Sequence, residues 1–188
     1  MQYILMALMA AGIVAADQFS KFWVVNNIAS SRCGNTAECL MHIEKLKEVY
    51  HVTEQQLAGL PSYVEGIPGV VRFSFVHNNG AAFSSFQGQQ WLFLLVFVLF
   101  TAAVIWEFTK GKMGFTRFEK WCIAAVYAGG LGNMIDRLRL GYVVDMIQTE
   151  FMTFPVFNVA DCFISCGCIA LIVSLVFFNR KFWKGEKK

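Results

Sequence analysis

The chain has 188 residues, a length that fits one domain, and its 56% hydrophobic and 15% charged residues make it too apolar for an ordinary soluble protein. The net charge of +3 is modest. Its basic residues gather beside apolar runs instead of forming a stripe with aromatics, so nucleic-acid binding is not expected.

The first apolar run covers residues 3–25 and is interrupted by Asp17, Gln18, Ser20 and Lys21. At about 1.5 Å per residue it can cross a hydrocarbon core of about 30 Å. A cleaved signal peptide ending near Ala16 is the alternative. It lacks a basic leading region, and Phe22 to Val25 carry the apolar run past that site.

Residues 26–90 form a long segment of mixed character. Helical spacing runs over 43–60, with Thr53 and Gln56 resembling a capping box ahead of Leu57. Beyond Pro68, Val-Val-Arg-Phe-Ser-Phe-Val reads as a strand ending in an Asn-Asn-Gly turn. A small subdomain with short β-strands at the membrane surface is expected. Cys33 and Cys39 share a polar loop in this segment, where a local disulfide and a pair of free thiols both remain open.

Three further apolar runs cover 91–108, 120–139 and 158–178. The expected fold is therefore a membrane α-helical bundle of four transmembrane helices carrying the small β-containing subdomain. Lys110, Lys112, Arg117 and Lys120 lie between the second and third runs, and Arg180, Lys181, Lys184, Lys187 and Lys188 form the tail. The positive-inside bias puts both groups on the cytoplasmic side, with residues 26–90 and the Lys- and Arg-free stretch 141–157 outside. Ala125 with Gly129 and Ala128 with Gly132 are small-xxx-small pairs suited to close helix packing. Cys122, Cys162, Cys166 and Cys168 sit in apolar runs without the histidine partners of a zinc site and read as packing thiols.

Ionisable residues inside spans are costly and mark functional sites by default. Asp17 comes late in the first span, Asp136 late in the third and Asp161 early in the fourth, so the topology brings all three to similar depth near the outer face. Asn133 and Asp136 are three apart, as are Asn158 and Asp161, so each amide shares a helix face with its acid. Two close carboxylates oriented by amides suit acid and base work, since one keeps a proton while the other activates water. Buried polar groups that only tie helices together are the competing explanation. Asp17 and Lys21, four apart, are expected to form an intrahelical pair with a structural or orienting role. His42, His51 and His77 form no His-Glu-x-x-His unit, so a zinc peptidase is not indicated. A transporter using these acids as a proton path is the runner-up, but such a path would spread them through the whole bilayer depth. A purely structural scaffold would leave the two Asn-x-x-Asp units without a purpose.

Five ordered blocks carry a resemblance: Asp17-Gln-Phe-Ser-Lys21, Asn78-Asn-Gly80-Ala-Ala-Phe83, Gly129-Gly-Leu-Gly-Asn133-Met-Ile-Asp136-Arg137, Val143-Val-Asp145 and Phe157-Asn158-Val-Ala-Asp161. Together they resemble the lipoprotein signal peptidase family, also called type II signal peptidases. The resemblance implies an aspartyl endopeptidase without cofactor or metal. Its implied substrate is a prolipoprotein whose lipobox cysteine already carries diacylglyceryl, cut on the amino side of that cysteine. It also implies membrane lipid as a partner, inhibition by globomycin-like cyclic peptides, and residence in the bacterial cytoplasmic membrane; action as a monomer is expected. By position, Asp136 and Asp161 are expected to be catalytic, with Asp17, Lys21, Asn78, Gly80, Asn133, Arg137, Asp145 and Asn158 in support. Two departures stand out. His77 occupies the place before Asn78 where many relatives have Arg, and the segment of about 28–69 is longer than the family suggests.

Overall fold

Helix ends in this chain are written by its capping residues. The computed structural model describes residues 1–28, 37–51, 53, 60–80, 89–111 and 113–179, with backbone alone over 37–43. Helix α1 covers Gln2–Asn27 and α2 covers Ala37–Tyr50. Strands β1 (Tyr63–Ile67) and β2 (Val71–Asn78) follow, then α3 (Gln90–Lys110) and α4 (Arg117–Leu140). Strand β3 (Val143–Thr149) leads into α5 (Val159–Val173), which continues as a π-helical turn over Ser174–Phe178.

Thr116 and Glu119 close a reciprocal capping box at the start of α4. The Thr116 hydroxyl accepts from the Glu119 amide at 3.3 Å, and the Glu119 carboxylate accepts from the Thr116 amide at 2.6 Å. Gly141 ends the helix in the left-handed conformation, at φ 84°. Asn158 and Asp161 repeat the box at the head of α5.

Among the described residues, three helices are long and apolar enough to cross a membrane: α1, α3 and α5 with its π-helical end. Their outward faces carry Ile4, Leu8, Leu95, Leu99, Ile169 and Phe177, all exposed, as helices surrounded by lipid do. The remaining expected span is α4, whose 24 residues are long enough for the same purpose at roughly 36 Å. Its Arg117, Glu119, Lys120, Asp136, Arg137 and Arg139 make composition alone insufficient to mark it as a span. It packs against α1, α3 and α5. The small residues expected to permit close packing do so. A Cβ on Gly129 would lie 2.5 Å from the Ala160 carbonyl oxygen of α5, and one on Gly132 would lie 2.6 Å from Asp17 Oδ2 of α1.

The subdomain is a three-stranded antiparallel sheet in the order β1-β2-β3. The strand expected after Pro68 is β2, while β3 was not foreseen as a strand. The helical spacing expected over 43–60 is met over 43–50 by α2, which starts earlier, at Ala37, and is followed by His51 with φ 56°; residues 52 and 54–59 fall outside the described residues. Gln56 and Leu57 of the expected capping box fall outside the described residues, as do Cys33, Lys112 and the basic tail. Side chains of α1, α2 and the back of the sheet form one apolar core, containing Val24, Val25, Leu46, Tyr50, Phe75, Tyr142, Val144 and Met146.

Candidate active site

Lys21 is fully buried on α1, and its ammonium has three partners. Nζ lies 2.8 Å from Asp17 Oδ2 and 2.9 Å from Asp136 Oδ2, and it donates to Asn133 Oδ1 at 3.0 Å. The expected Asp17–Lys21 pair therefore exists, but as part of a closed network in which both carboxylates are also fully buried. Gln18, a residue whose role its sequence position does not signal, closes it further by donating to Asp17 Oδ2 at 3.1 Å and Asp136 Oδ1 at 3.0 Å. The remaining Asp136 contact is the Val144 amide, 3.1 Å from Oδ2. Asp17 Oδ1 accepts from the Ala160 amide in the first turn of α5 at 3.0 Å.

Beside this network opens a cavity of about 530 Å³. Asp145 and Asp161 line it, together with Asn78, Gly80, Asn133 and Arg137, and a wall of Phe154, Pro155 and Phe157 makes part of it apolar. Asp136 does not line it. The sequence expectation that Asp136 faces Asp161 across the site is thus not what the geometry presents: the cavity carboxylate opposite the α5 helix comes from strand β3. The physical reason is the alternation of a strand. Val143 and Asp145 point into the cavity, while Tyr142, Val144 and Met146 point to the core behind.

Amides hold both cavity carboxylates. Asn78 donates to Asp145 Oδ2 at 2.9 Å and Asn158 donates to Asp145 Oδ1 at 2.7 Å. Asn133 donates to Asp161 Oδ1 at 2.7 Å, and the Asn158 backbone amide donates to Asp161 Oδ2 at 3.2 Å. Asn158 therefore touches both acids, one through its side chain and the other through its backbone. Each Asn-x-x-Asp unit proves asymmetric: in α5 the spacing makes a capping box, whereas in α4 Asn133 reaches across to Asp161 and leaves Asp136 to Lys21.

Burial pushes the Asp145 carboxyl up to about 7, reinforced by the nearby Asp161 charge and opposed by the Asn78 and Asn158 hydrogen bonds. At neutral pH Asp145 is poised between its two protonation states. Arg137 donates to the Asn133 carbonyl at 3.2 Å and the Gly80 carbonyl at 2.9 Å, with its guanidinium 4.4 Å above the Phe93 ring centroid. Gly80 in turn donates its amide to Asn78 Oδ1 at 2.9 Å, so the side chain that holds Asp145 is itself held. His77 is buried between Phe75 and Tyr142, with ring centroids at 4.8 and 4.4 Å.

Two further acids are buried in the bundle without having been expected there, Glu107 on α3 and Glu119 on α4. They sit at the far end of the bundle. Glu107 lies 3.4 Å from Lys120, and Glu119 accepts from Ser174 and Asn179 at 2.9 and 2.7 Å. The Thr116-x-x-Glu119 pattern was the available signal for the second.

The family model for Signal peptidase (SPase) II matches residues 9–177. The chain is 36% identical over 174 residues to a protein of Streptococcus pyogenes serotype M2 named lipoprotein signal peptidase, covering 93% of this chain and 90% of that one. It is 37% identical over 174 residues to a lipoprotein signal peptidase of Lactococcus lactis subsp. cremoris, covering 91% of this chain and 92% of that one. Among solved structures, one described as a bacterial membrane enzyme is similar with a TM-score of 0.70 at 25% identity, covering 94% of this chain and 90% of that one.

Proposed function

Because the chain belongs to the signal peptidase II family, we propose that it cuts the signal peptide from prolipoproteins by aspartyl chemistry, using Asp145 and Asp161 as the reacting pair. The observation that carries this reading is the cavity lined by both carboxylates, with Asn158 bonded to each. In this mechanism the ionised member takes a proton from water as the oxygen attacks the scissile carbonyl. The protonated member donates to that carbonyl oxygen and stabilises the charge developing on it. The tetrahedral intermediate collapses when the nitrogen of the leaving amine receives a proton and the C–N bond breaks. Asp145, whose proton is retained to about pH 7, is the member that begins the cycle protonated. Asp161 then activates the water.

Asp136, with Asp17 and Lys21, is a fixed-charge support in this scheme. Asn78, Asn133 and Asn158 orient the carboxylates, Gly80 fixes Asn78, and Arg137 holds the loop at Gly80 against α4. The substrate is a prolipoprotein carrying diacylglyceryl on the lipobox cysteine, cut on the amino side of that cysteine. Its acyl chains stay in the membrane, at about 0.8 kcal/mol per buried methylene. The arrangement has four spans in the bacterial cytoplasmic membrane, α4 being the third, with both termini inside and the cavity near the outer face. Globomycin-like cyclic peptides would compete for the cavity, and the enzyme acts as a monomer. The experiment is incubation of the purified protein with a prolipoprotein with and without its lipid. Cleavage only of the lipidated form is expected, and equal rates for both would overturn the substrate assignment.

A further inference from the structure

The long segment between the first span and the sheet has no part in the proposed chemistry, yet it supplies α2, which packs on α4 and α1 and joins the apolar core behind the strand that carries Asp145. Leu46 is 1% exposed and Tyr50 9%. Both belong to the buried cluster that also holds Val24, Val25, Phe75, Tyr142, Val144 and Met146, the last three being the back-facing residues of the chain on either side of Asp145. The Tyr50 ring also lies 6.0 Å from Phe22 of α1, and the Arg139 guanidinium stands 5.4 Å from its centroid. Arg139 reaches on to Gln18, at 3.4 Å, and Gln18 bonds Asp17 and Asp136.

The connection continues at the turn into β3. Helix α4 ends with carbonyls that have no partner within the helix. Lys45 of α2 donates to the Leu140 carbonyl at 3.2 Å, which also sets a cation against the negative end of the helix dipole. Gln90 of α3 donates to the Gly141 carbonyl. Four residues later the chain reaches Asp145. The segment 140–145 is thus fixed at its start by Lys45 and Gln90, at Val144 by Asp136, and from behind by Leu46 and Tyr50.

We propose that α2 is a positioning element for the catalytic pair, setting through Leu46, Tyr50 and Lys45 where β3 presents Asp145 to the cavity. This rests on Asp145 and Asp161 being the reacting pair. A side chain behind a strand controls the side chain in front of it because the backbone between them moves as one piece. A displacement well under an ångström at the reacting atoms is enough to slow the chemical step without weakening substrate binding. The same looseness would let water reach Asp145 and lower its raised affinity for the proton.

The test compares Leu46→Ala and Lys45→Met with wild type in steady-state cleavage of lipidated prolipoprotein across pH, below the melting temperature of each. Leu46→Ala should lower kcat about tenfold with KM within about twofold, and the alkaline limb of its pH profile should move to lower pH. Leu46→Met, which keeps the volume, should restore both. Lys45→Met alters a solvent-exposed stem and keeps the protein foldable; it should lower kcat about threefold, with recovery in Lys45→Arg. If Lys45→Met and every folded Leu46 variant keep the wild-type kcat and pH profile and differ only in melting temperature, α2 is packing and the proposal fails. Asp145→Asn in the same assay separates the two readings, since continued cleavage by that variant would remove the catalytic pair itself.

Discussion

Replacing Asp145 by asparagine removes one proton-transfer group while keeping the side-chain shape. Asparagine retains one oxygen, so one of the two amides from Asn78 and Asn158 keeps its acceptor and the other faces an NH2 group. That lost hydrogen bond costs about 1–3 kcal/mol. Against it stands the burial penalty on the carboxylate: a rise from the usual carboxylate range to about 7 corresponds to on the order of 4 kcal/mol disfavouring the ionised form in the folded protein. At pH 8 the variant should therefore fold at least as well as wild type. Cleavage should fall by about 10²–10⁴-fold, the loss typical of removing one general acid or base. Time courses of lipidated prolipoprotein cleavage by matched amounts of detergent-purified wild type, Asp145→Asn, Asp161→Asn and Asp136→Asn would measure it. Asp136→Asn should lose stability by about 1–3 kcal/mol through its contacts with Lys21 and Val144, yet keep measurable turnover, because the remaining Asp17–Lys21 pair is electrically balanced. Near wild-type cleavage by Asp145→Asn, combined with an inactive but folded Asp136→Asn, would refute the assignment and return Asp136 to the reacting pair.

Asp145 also predicts a pH dependence of stability. Its folded-state pKa is raised to about 7, so between about pH 4 and 7 the unfolded chain releases a proton that the native protein keeps. The contribution is complete below the carboxylate range and lost as pH rises through 7. The melting temperature of wild type relative to Asp145→Asn should accordingly fall across that window and level off above it; a flat difference would contradict the burial argument. Lys21→Met leaves Asp17 and Asp136 buried without their shared cation and should cost about 3–5 kcal/mol, seen as loss of folded protein on extraction; unchanged thermal stability would contradict the closed network. Impermeant thiol reagents should label Cys33 or Cys39 in intact cells after reduction, whereas labelling of a cysteine placed after Arg180 instead would reverse the orientation.

The pieces legible in the sequence were those whose signal is local or periodic. Apolar runs found α1, α3 and α5, while i,i+3 and i,i+4 spacing found the Asp17–Lys21 pair and the amides beside the acids. The strand after Pro68 was visible in its alternating bulky residues. What spacing could not supply was partner choice. Asn133 and Asp136 share a helix face, but a helix face is broad enough for Asn133 to reach α5 while Asp136 turns to α1. The cavity position of Asp145 is not readable from spacing, because it sits on a strand of seven residues that turns one face to the core and the other to the cavity. Nothing in Val143-Val-Asp145 says which face the acid takes until Tyr142 and Val144 are seen buried in the core. Helix α2 was legible over 43–50, but its apolar positions Leu46 and Tyr50 do not name the core they join, which is assembled from elements far apart in the chain.

One cation orders the direction of the whole polar network. An ammonium only donates, so Asn133 must turn its oxygen towards Lys21, and its NH2 group is then committed to Asp161. The same oxygen accepts from Asn158, whose NH2 group is thereby aimed at Asn133 and Asp145 together, while the Asn158 oxygen receives the Asp161 amide. Each amide has a single consistent orientation, and it points N–H groups at both cavity carboxylates. Asp17 and Asp136 complete the logic by holding the Lys21 ammonium between them. The Lys21 charge favours ionisation of Asp145 only weakly against the burial that raises its proton affinity. The network therefore sets the orientation of the amides that hold the two cavity carboxylates, which under the proposed mechanism are the pair that shares a proton.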